Sequence, residues 1–259
     1  MKKTYIVRQR YEEALKPFMN TELIKVIIGQ RRVGKSFLLF QIMDALKKQG
    51  VRATQLVYIN KELGEFDQIR TEKDLREYVE LKKIKGDKKQ YLFIDEIQDI
   101  EKFEKALRHF AAKGSYDVYC TGSNAQIFSS ELATYLSGRY IEIKMYSLSY
   151  QEFLQFHKLK ESEEAFMQYA RWGGMPYLIH IDKEDTAIFA YLRGVYDTVV
   201  LKDVVARFGV RNIALLNRLV EYLADTVGSF ISAKKISDFL KSQRTNLAPN
   251  VILNYLSYL

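Results

Sequence analysis

Gly29-Gln30-Arg31-Arg32-Val33-Gly34-Lys35-Ser36 is the stretch on which the fold turns. It fits the pattern G-x-x-x-x-G-K-[ST]. Its setting fits as well: the apolar run Ile24–Ile28 precedes it and the amphipathic run Phe37–Leu46 follows it. A strand, a glycine loop and a helix in that order present main-chain N–H groups to phosphate. Gly29 and Gly34 allow the tight turns that aim those amides inward, and the helix adds the positive end of its dipole. Lys35 then neutralises β- and γ-phosphate charge, and Ser36 offers a hydroxyl to Mg²⁺. Arg32, Val33 and Phe37 complete the residues expected along the nucleotide, and Arg31 and Arg32 either touch phosphate or pair with acids. The bland alternative is a glycine-rich turn before an ordinary helix. The expected ligands are ATP or ADP, with Mg²⁺.

Two later strand ends extend the pattern. Tyr91-Leu92-Phe93-Ile94 runs into Asp95-Glu96. An acid at a strand tip holds Mg²⁺, which is the role expected of Asp95. A second acid polarises a water for attack on the γ-phosphate, the role expected of Glu96. Val118-Tyr119-Cys120 runs into Thr121-Gly122-Ser123-Asn124. If that strand lies between the loop strand and the Asp95 strand, Thr121, Ser123 or Asn124 stands near the γ-phosphate and can position the water. Asn124 is counted with Glu96 and Lys35 among the catalytic candidates. The same small polar residues also suit a helix N-cap. Arg139, just before the next apolar run, either reaches a phosphate of its own or a neighbouring subunit or is a surface arginine.

The first half alternates short apolar runs with helical patterns. The runs Ile24–Ile28, Leu56–Ile59, Tyr91–Ile94, Val118–Cys120 and Ile141–Ile143 read as strands. About Lys35–Lys48, Glu72–Lys83, Lys102–Lys113 and Asn124–Leu136 read as helices. Such alternation predicts an α/β fold, a mostly parallel sheet with helices on both faces. Beyond Ser147 helical periodicity dominates: Ser149–Phe156, Glu161–Arg171, a long stretch Thr186–Val205, then Leu215–Thr226, Ala233–Lys241 capped by Ser232, and a helix opened by Pro249. The expected boundaries are 1–146 for a P-loop core, 147–208 for a helical segment and 209–259 for the tail. Trp172-Gly173-Gly174-Met175-Pro176 interrupts the helices, either as a simple turn or as a ligand contact in which Pro176 offers a flat apolar face.

Composition narrows the class. Hydrophobic residues are 47% of the 259 and charged residues 28%, so a chain this long buries a core without staples. The single Cys120 excludes an internal disulfide. His109, His157 and His180 are not spaced as metal ligands. No apolar run approaches the roughly 18 residues of a membrane span, and no signal peptide opens the chain; a cytoplasmic protein with no membrane partner is expected. The net charge of +8 suits nucleic acid or an acidic partner, but lysine-rich helix surfaces give the same balance.

The run Gly29–Ser36 with its double arginine, Phe93-Ile-Asp-Glu-Ile-Gln98, Thr121-Gly-Ser-Asn124, Leu136-Ser-Gly-Arg139, Ser149-Tyr-Gln-Glu-Phe153 and Gly173-Gly-Met-Pro176 together resemble the archaeal-type AAA+ ATPases of bacteria and archaea, which are related to the signal-transducing P-loop ATPases. The resemblance spans nearly the whole chain. It implies strand order 5-1-4-3-2, a helical lid carrying the Gly-x-Pro turn with Pro176 near the adenine, and then a winged helix. It also implies an arginine beside the base near Tyr5–Arg10, with Arg10 and Tyr11 as candidates. A sensor arginine in the lid does not stand out; Arg171 and Arg207 are the candidates. The final helix reaches Leu259 with its apolar pattern unfinished, so a partial winged helix is expected, with a further domain after it. The activity implied is ATP hydrolysis coupled to lid and partner movement. The alternatives are a slow nucleotide switch and an ATP-regulated nucleic-acid-binding module that uses Lys234, Lys235, Lys241 and Arg244. A homo-oligomer fits either.

Overall fold

Five runs rich in β-branched and aromatic residues form one parallel sheet: β1 (Ile24–Ile28), β2 (Leu56–Asn60), β3 (Gln90–Asp95), β4 (Tyr116–Gly122) and β5 (Tyr140–Lys144). The structure, a computed structural model, describes residues 5–84, 89–123, 136, 138–206, 208–210, 212–243, 245 and 247–258, without the side chains of 201–203 and 206. The strand order is β2-β3-β4-β1-β5, every pair parallel. This is the P-loop NTPase order 5-1-4-3-2, with β4 between the strand that leads into Gly29 and the strand that ends at Asp95.

The chain divides into two compact units, Met1–Phe189 and Ala190–Leu259. In the first unit, α1 (Gln9–Leu15), α2 (Lys35–Lys48), α3 (Glu72–Leu81) and α4 (Phe103–Lys113) cover the sheet. Successive strand side chains point to opposite faces. Accordingly Ile24, Val26 and Ile28 pack with Leu75, Val79, Leu107 and Phe110 from α3 and α4. Ile27, Phe93 and Tyr119 pack on the other face with Tyr11, Leu15, Leu38, Leu39 and Ile42 from α1 and α2. All residues of β1, β3 and β4 are buried, as strands covered on both faces require. Helices α5 (Tyr150–His157) and α6 (Glu163–Trp172) follow the sheet, and α7 (Asp185–Thr198) leads out of the unit. Ser149 caps α5 with a capping box through Glu152.

In the second unit a π-helical segment, Val199–Ala206, precedes α8 (Ile213–Asp225), α9 (Ala233–Ser242) and α10 (Pro249–Tyr258). Leu215, Leu219, Ile236, Leu240 and Ile252 form the core shared by these three helices. Ser232 accepts from the Lys235 amide as the N-cap of α9, and Pro249 occupies the first position of α10, as expected. Among the described residues no helix is long and apolar enough to cross a membrane.

Three expectations need correction or lie beyond reach. Helix α1 was not foreseen, because its seven residues bury only Tyr11 and Leu15 and give little periodic signal. The helix expected over Thr186–Val205 is α-helical only to Thr198 and π-helical beyond it. Apolar periodicity cannot separate the two forms. The helix expected over Asn124–Leu136 lies outside the described residues, apart from Leu136.

A charge is buried at the amino ends of β1 and β4. Lys25 on β1 and Asp117 on β4 are both fully buried and paired. Asp117 also accepts from the Asn20 amide at 2.7 Å and from the Tyr119 hydroxyl at 3.0 Å, and the Lys25 ammonium lies 5.2 Å from the Tyr119 ring centre. Burial pushes the Lys25 ammonium below its ordinary pKa, and Asp117 opposes that shift. Removing one partner of such a pair strands the other, at a cost of about 3–5 kcal/mol. Asp117→Ala is therefore expected to lower unfolding free energy by about that amount in urea titration. Lys25→Met with Asp117→Leu should recover most of it, and a single variant as stable as wild type contradicts the account.

Candidate functional site

The loop after β1 closes against the end of β5. Met145 donates its amide to the Ile28 carbonyl at 2.7 Å, and a Cβ on Gly29 (φ 152°) would lie 2.2 Å from the Met145 carbonyl oxygen. No side chain fits there. Gly34 (φ 101°) is the N-cap of α2, and Arg32 is also left-handed at φ 64°. The positive end of α2 thus faces the loop. Val33 has its side chain in the core, 0% exposed, so only its backbone belongs to the loop. Phe37 is exposed, its ring set edge-on to Phe40. Ser36 is half-buried in the first turn of α2. Arg31 pairs with Glu62 at 3.5 Å.

Lys35 is 4% exposed, and its Nζ donates to the carbonyls of Gly29 at 2.9 Å and Gln30 at 3.1 Å. The nearest carboxylate oxygen, Oε1 of Glu96, is 3.5 Å away. Burial pushes the ammonium below its ordinary pKa, with Glu96 and Asp95 pulling back. The charge is therefore only partly compensated by its surroundings.

β4 ties the two halves together. Thr121, paired in register with Ile27 of β1, donates its hydroxyl to Oδ1 of Asp95 and accepts from the Glu96 amide at 3.0 Å. The Tyr58 hydroxyl of β2 donates to Oδ2 of Asp95 at 3.0 Å. Burial first, and then Asp95, raise the Tyr58 pKa, so it stays a donor. Glu96 stands in the left-handed region, φ 54° and ψ 53°, a conformation costly for a non-glycine residue and concentrated at functional sites. Its Oε2 accepts from Nε2 of Gln98 at 2.5 Å, and the same nitrogen is 3.5 Å from the Ser123 hydroxyl. Oε1 of Gln98 is buried without a donor among the described residues.

Lys35, Asp95, Glu96, Thr121 and Ser123 thus meet at the carboxyl ends of β1, β3 and β4. The Thr121 hydroxyl is engaged by Asp95 and the Glu96 amide. Asn124 lies outside the described residues. For Arg139, only the own-chain alternative is excluded. Its carbonyl accepts from the Ile24 amide, so it stands at the amino end of the sheet, on the order of 20 Å from Gly29 at 3.3 Å per residue. No side chain spans that distance, so Arg139 cannot serve its own chain's loop.

Gly174 presses on the same β5 exit. The Leu148 amide donates to its carbonyl at 2.7 Å, and a Cβ there would lie 2.2 Å from the Leu148 carbonyl oxygen. Pro176 then opens a short 3₁₀ turn, half-buried. Backbone contact thus explains Gly174, whereas Gly173 has open space around it and needs glycine for its φ of 72°; Pro176 follows two residues after the contact with Leu148. Arg171, a sensor candidate, pairs with Asp185 at 2.5 Å; Arg207 lies outside the described residues.

The residue that sequence reasoning missed is Arg8. Arg10 is exposed, whereas Arg8 is 5% exposed. Tyr11, the other candidate, is buried with its hydroxyl accepting from the Tyr146 amide at 3.0 Å. The usable signal was spacing: Arg8, Tyr11 and Leu15 fall on one face of a helix.

The chemistry of this donor set fits Mg²⁺-ATP. It offers a buried, under-compensated ammonium on a glycine loop, a helix N-terminus, a hydroxyl on that helix and two acids across one strand.

Residues 21–154 match a family model described as AAA domain, and residues 163–259 match one described as a domain of unknown function. An uncharacterized protein of Haemophilus influenzae is 36% identical over 263 residues, covering 100% of this chain and 65% of the relative. The uncharacterized protein MJ1544 of Methanocaldococcus jannaschii is 31% identical, covering 99% of this chain and 58% of the relative. The chain thus spans less than two thirds of the length of the curated relatives it matches. Among solved structures, the ORC2 protein of Aeropyrum pernix in its ADP form superposes with a TM-score of 0.50 at 11% identity, over 96% of this chain and 82% of that one, a likeness of fold.

Proposed function

This chain belongs to the AAA domain family, and on that premise we propose that it binds ATP with Mg²⁺ and hydrolyses it. The observation that carries the reading is Lys35: a buried ammonium held by two loop carbonyls, 3.5 Å from Glu96, at the tip of α2. Phosphate oxygens replace those carbonyls as its partners and supply the charge that its surroundings lack. The loop amides and the N-terminus of α2 orient the phosphates. Ser36 and Asp95 would hold the metal, with Asp95 fixed by Thr121 and Tyr58. When bound, Mg²⁺ would supply charge neutralisation at the phosphates. Glu96 takes the proton of the attacking water, its carboxylate aimed by Gln98. Pro176 flanks the base. We assign residues 1–146 to the ATPase core, 147–208 to a lid and 209–259 to a winged-helix-like segment.

The test is phosphate release together with a thermal-shift measurement. Mg²⁺-ATP at about a hundredfold over its Kd should stabilise the chain by about 2.7 kcal/mol. EDTA should abolish both the turnover and most of the shift. A chain that neither melts higher nor releases phosphate with Mg²⁺-ATP overturns the reading.

One observation favours a second reading, a slow nucleotide switch. Glu96 is already engaged by Lys35 and Gln98, so water activation requires a rearrangement. Nucleotide that co-purifies, with negligible steady-state release, selects it. A nucleic-acid partner rests on Lys234, Lys235 and Lys241, exposed on α9 beside the exposed Asp238; Arg244 lies outside the described residues. Duplex DNA added to the same assay decides: binding that falls steeply with salt supports it, and none removes it.

Arg139 is exposed at the far end of the sheet, and we assign it to a neighbouring copy's phosphates in a homo-oligomer. Turnover per chain should then rise with protein concentration, and Arg139→Ala should flatten that rise. A rate per chain independent of concentration in wild type removes this role.

A further inference from the structure

We propose that Arg8 is a positioning residue for phosphate binding, one that sets a peptide of the glycine loop and couples it to helix α5. The inference rests on the nucleotide reading above and adds to it a residue outside the loop, the acids and the strand ends.

Arg8 precedes α1 and directs its whole guanidinium inward. Nη1 donates to the Val33 carbonyl at 3.1 Å and to the Tyr146 carbonyl at 2.8 Å. Nη2 donates to the Ser147 carbonyl at 3.3 Å and to Oε2 of Glu152 at 2.7 Å, and Nε to Oε1 of Glu152 at 2.8 Å. All five donors of the fork are thereby used. The group also lies 4.6 Å from the Tyr11 ring centre. Its own amide donates to Oε1 of Gln41 on α2 at 3.2 Å.

The bond to Val33 matters most. A trans peptide is planar, so its N–H points opposite to its C=O. Arg8 holds the Val33 carbonyl and therefore turns the Gly34 N–H the other way. Gly34 is free to rotate at φ 101° because it has no Cβ. Something outside the loop must hold this peptide, and Arg8 does. A cation on the carbonyl also polarises the amide and makes its N–H a stronger donor.

The other side of the fork grips Glu152. That carboxylate also accepts from the Ser149 amide at 2.9 Å, so it closes the capping box of α5. Burial works against its charge, but Arg8 and Ser149 hold its carboxyl below the usual range. One guanidinium thus joins the loop peptide, the exit of β5 and the start of α5. A change in the Val33–Gly34 peptide is felt at α5, and the reverse.

Lysine cannot replace this fork, because one ammonium cannot hold two carboxylate oxygens and three carbonyls in their planar arrangement. Arg8→Lys is expected to weaken Mg²⁺-ADP about tenfold, the loss of one charge-assisted hydrogen bond. The distinguishing readout is the ¹⁵N–¹H resonance of Gly34 in glycine-labelled protein. In wild type it should move downfield on adding Mg²⁺-ADP, and in Arg8→Lys it should move less than half as far. If Arg8→Lys fails to fold, Glu152→Gln leaves Arg8 in place but replaces one of its two carboxylate acceptors with an NH₂ that cannot accept, and it should show the same two changes, smaller. A folded Arg8→Lys, or Glu152→Gln in its place, with wild-type affinity and a wild-type Gly34 shift overturns the proposal while leaving nucleotide binding intact. A wild-type chain that binds no Mg²⁺-ADP overturns the nucleotide reading itself, and this one with it.

Discussion

Lys35→Ala is expected to weaken ATP and ADP binding by on the order of a hundredfold or more, with little change in the melting temperature of the nucleotide-free chain. Truncating one partner of a buried charge contact costs about 3 kcal/mol or more, which converts to that factor. The stability of the free chain should hold for a separate reason. Burial dominates the environment of Lys35 and lowers its pKa, so the ammonium is not an asset to the fold. Its removal spares a desolvation penalty that outweighs the two bonds to loop carbonyls and the attraction of Glu96 and Asp95 that it gives up. Isothermal titration with Mg²⁺-ADP, alongside a melting curve without nucleotide, checks both halves. Undiminished affinity in the variant would mean that the loop amides hold the phosphates without the lysine. A collapse in melting temperature would mean that Lys35 is a structural pin.

The second large effect is kinetic. Glu96→Gln should lower the hydrolysis rate by about 10²–10⁴-fold, the range for loss of a positioned general base, while Kd changes little. Glutamine keeps the size of the side chain and can still meet Gln98, so the left-handed backbone at φ 54° is not further strained. It cannot take a proton. Single-turnover phosphate release measured beside Kd separates the two parameters. A variant that hydrolyses at the wild-type rate removes Glu96 from the mechanism and returns attention to Gln98, whose buried Oε1 is another group able to accept from a water.

The loop, the strands and the two acids were legible because their requirements are local. Positive φ at Gly29 and Gly34, an apolar run before them and an amphipathic helix after them all fall within a short span of chain. The parallel sheet followed from the alternation of runs and helices, and its strand order from a resemblance that the family match supports. The Gly173-Gly174 pair was visible as unusual, but its cause was not. Gly174 is small because Leu148, distant in sequence, runs across it.

Arg8 and Arg139 show where such reading stops. Both are arginines among many, and nothing in their neighbours ranks them. Arg139 was expected at a phosphate of its own or a neighbouring chain, and the hydrogen bond from the Ile24 amide to its carbonyl places it at the far end of the sheet, which removes the first alternative. Arg8 was passed over for Arg10, and a partner 144 residues away draws it inside. By itself, the sequence determined that a phosphate loop stands between a strand and a helix with an acidic strand end to answer it, because short-range geometry constrains such residues one by one. Only the tertiary structure decided which charges meet, because a buried ion pair is chosen by the packing of distant segments and leaves no periodic trace along the chain.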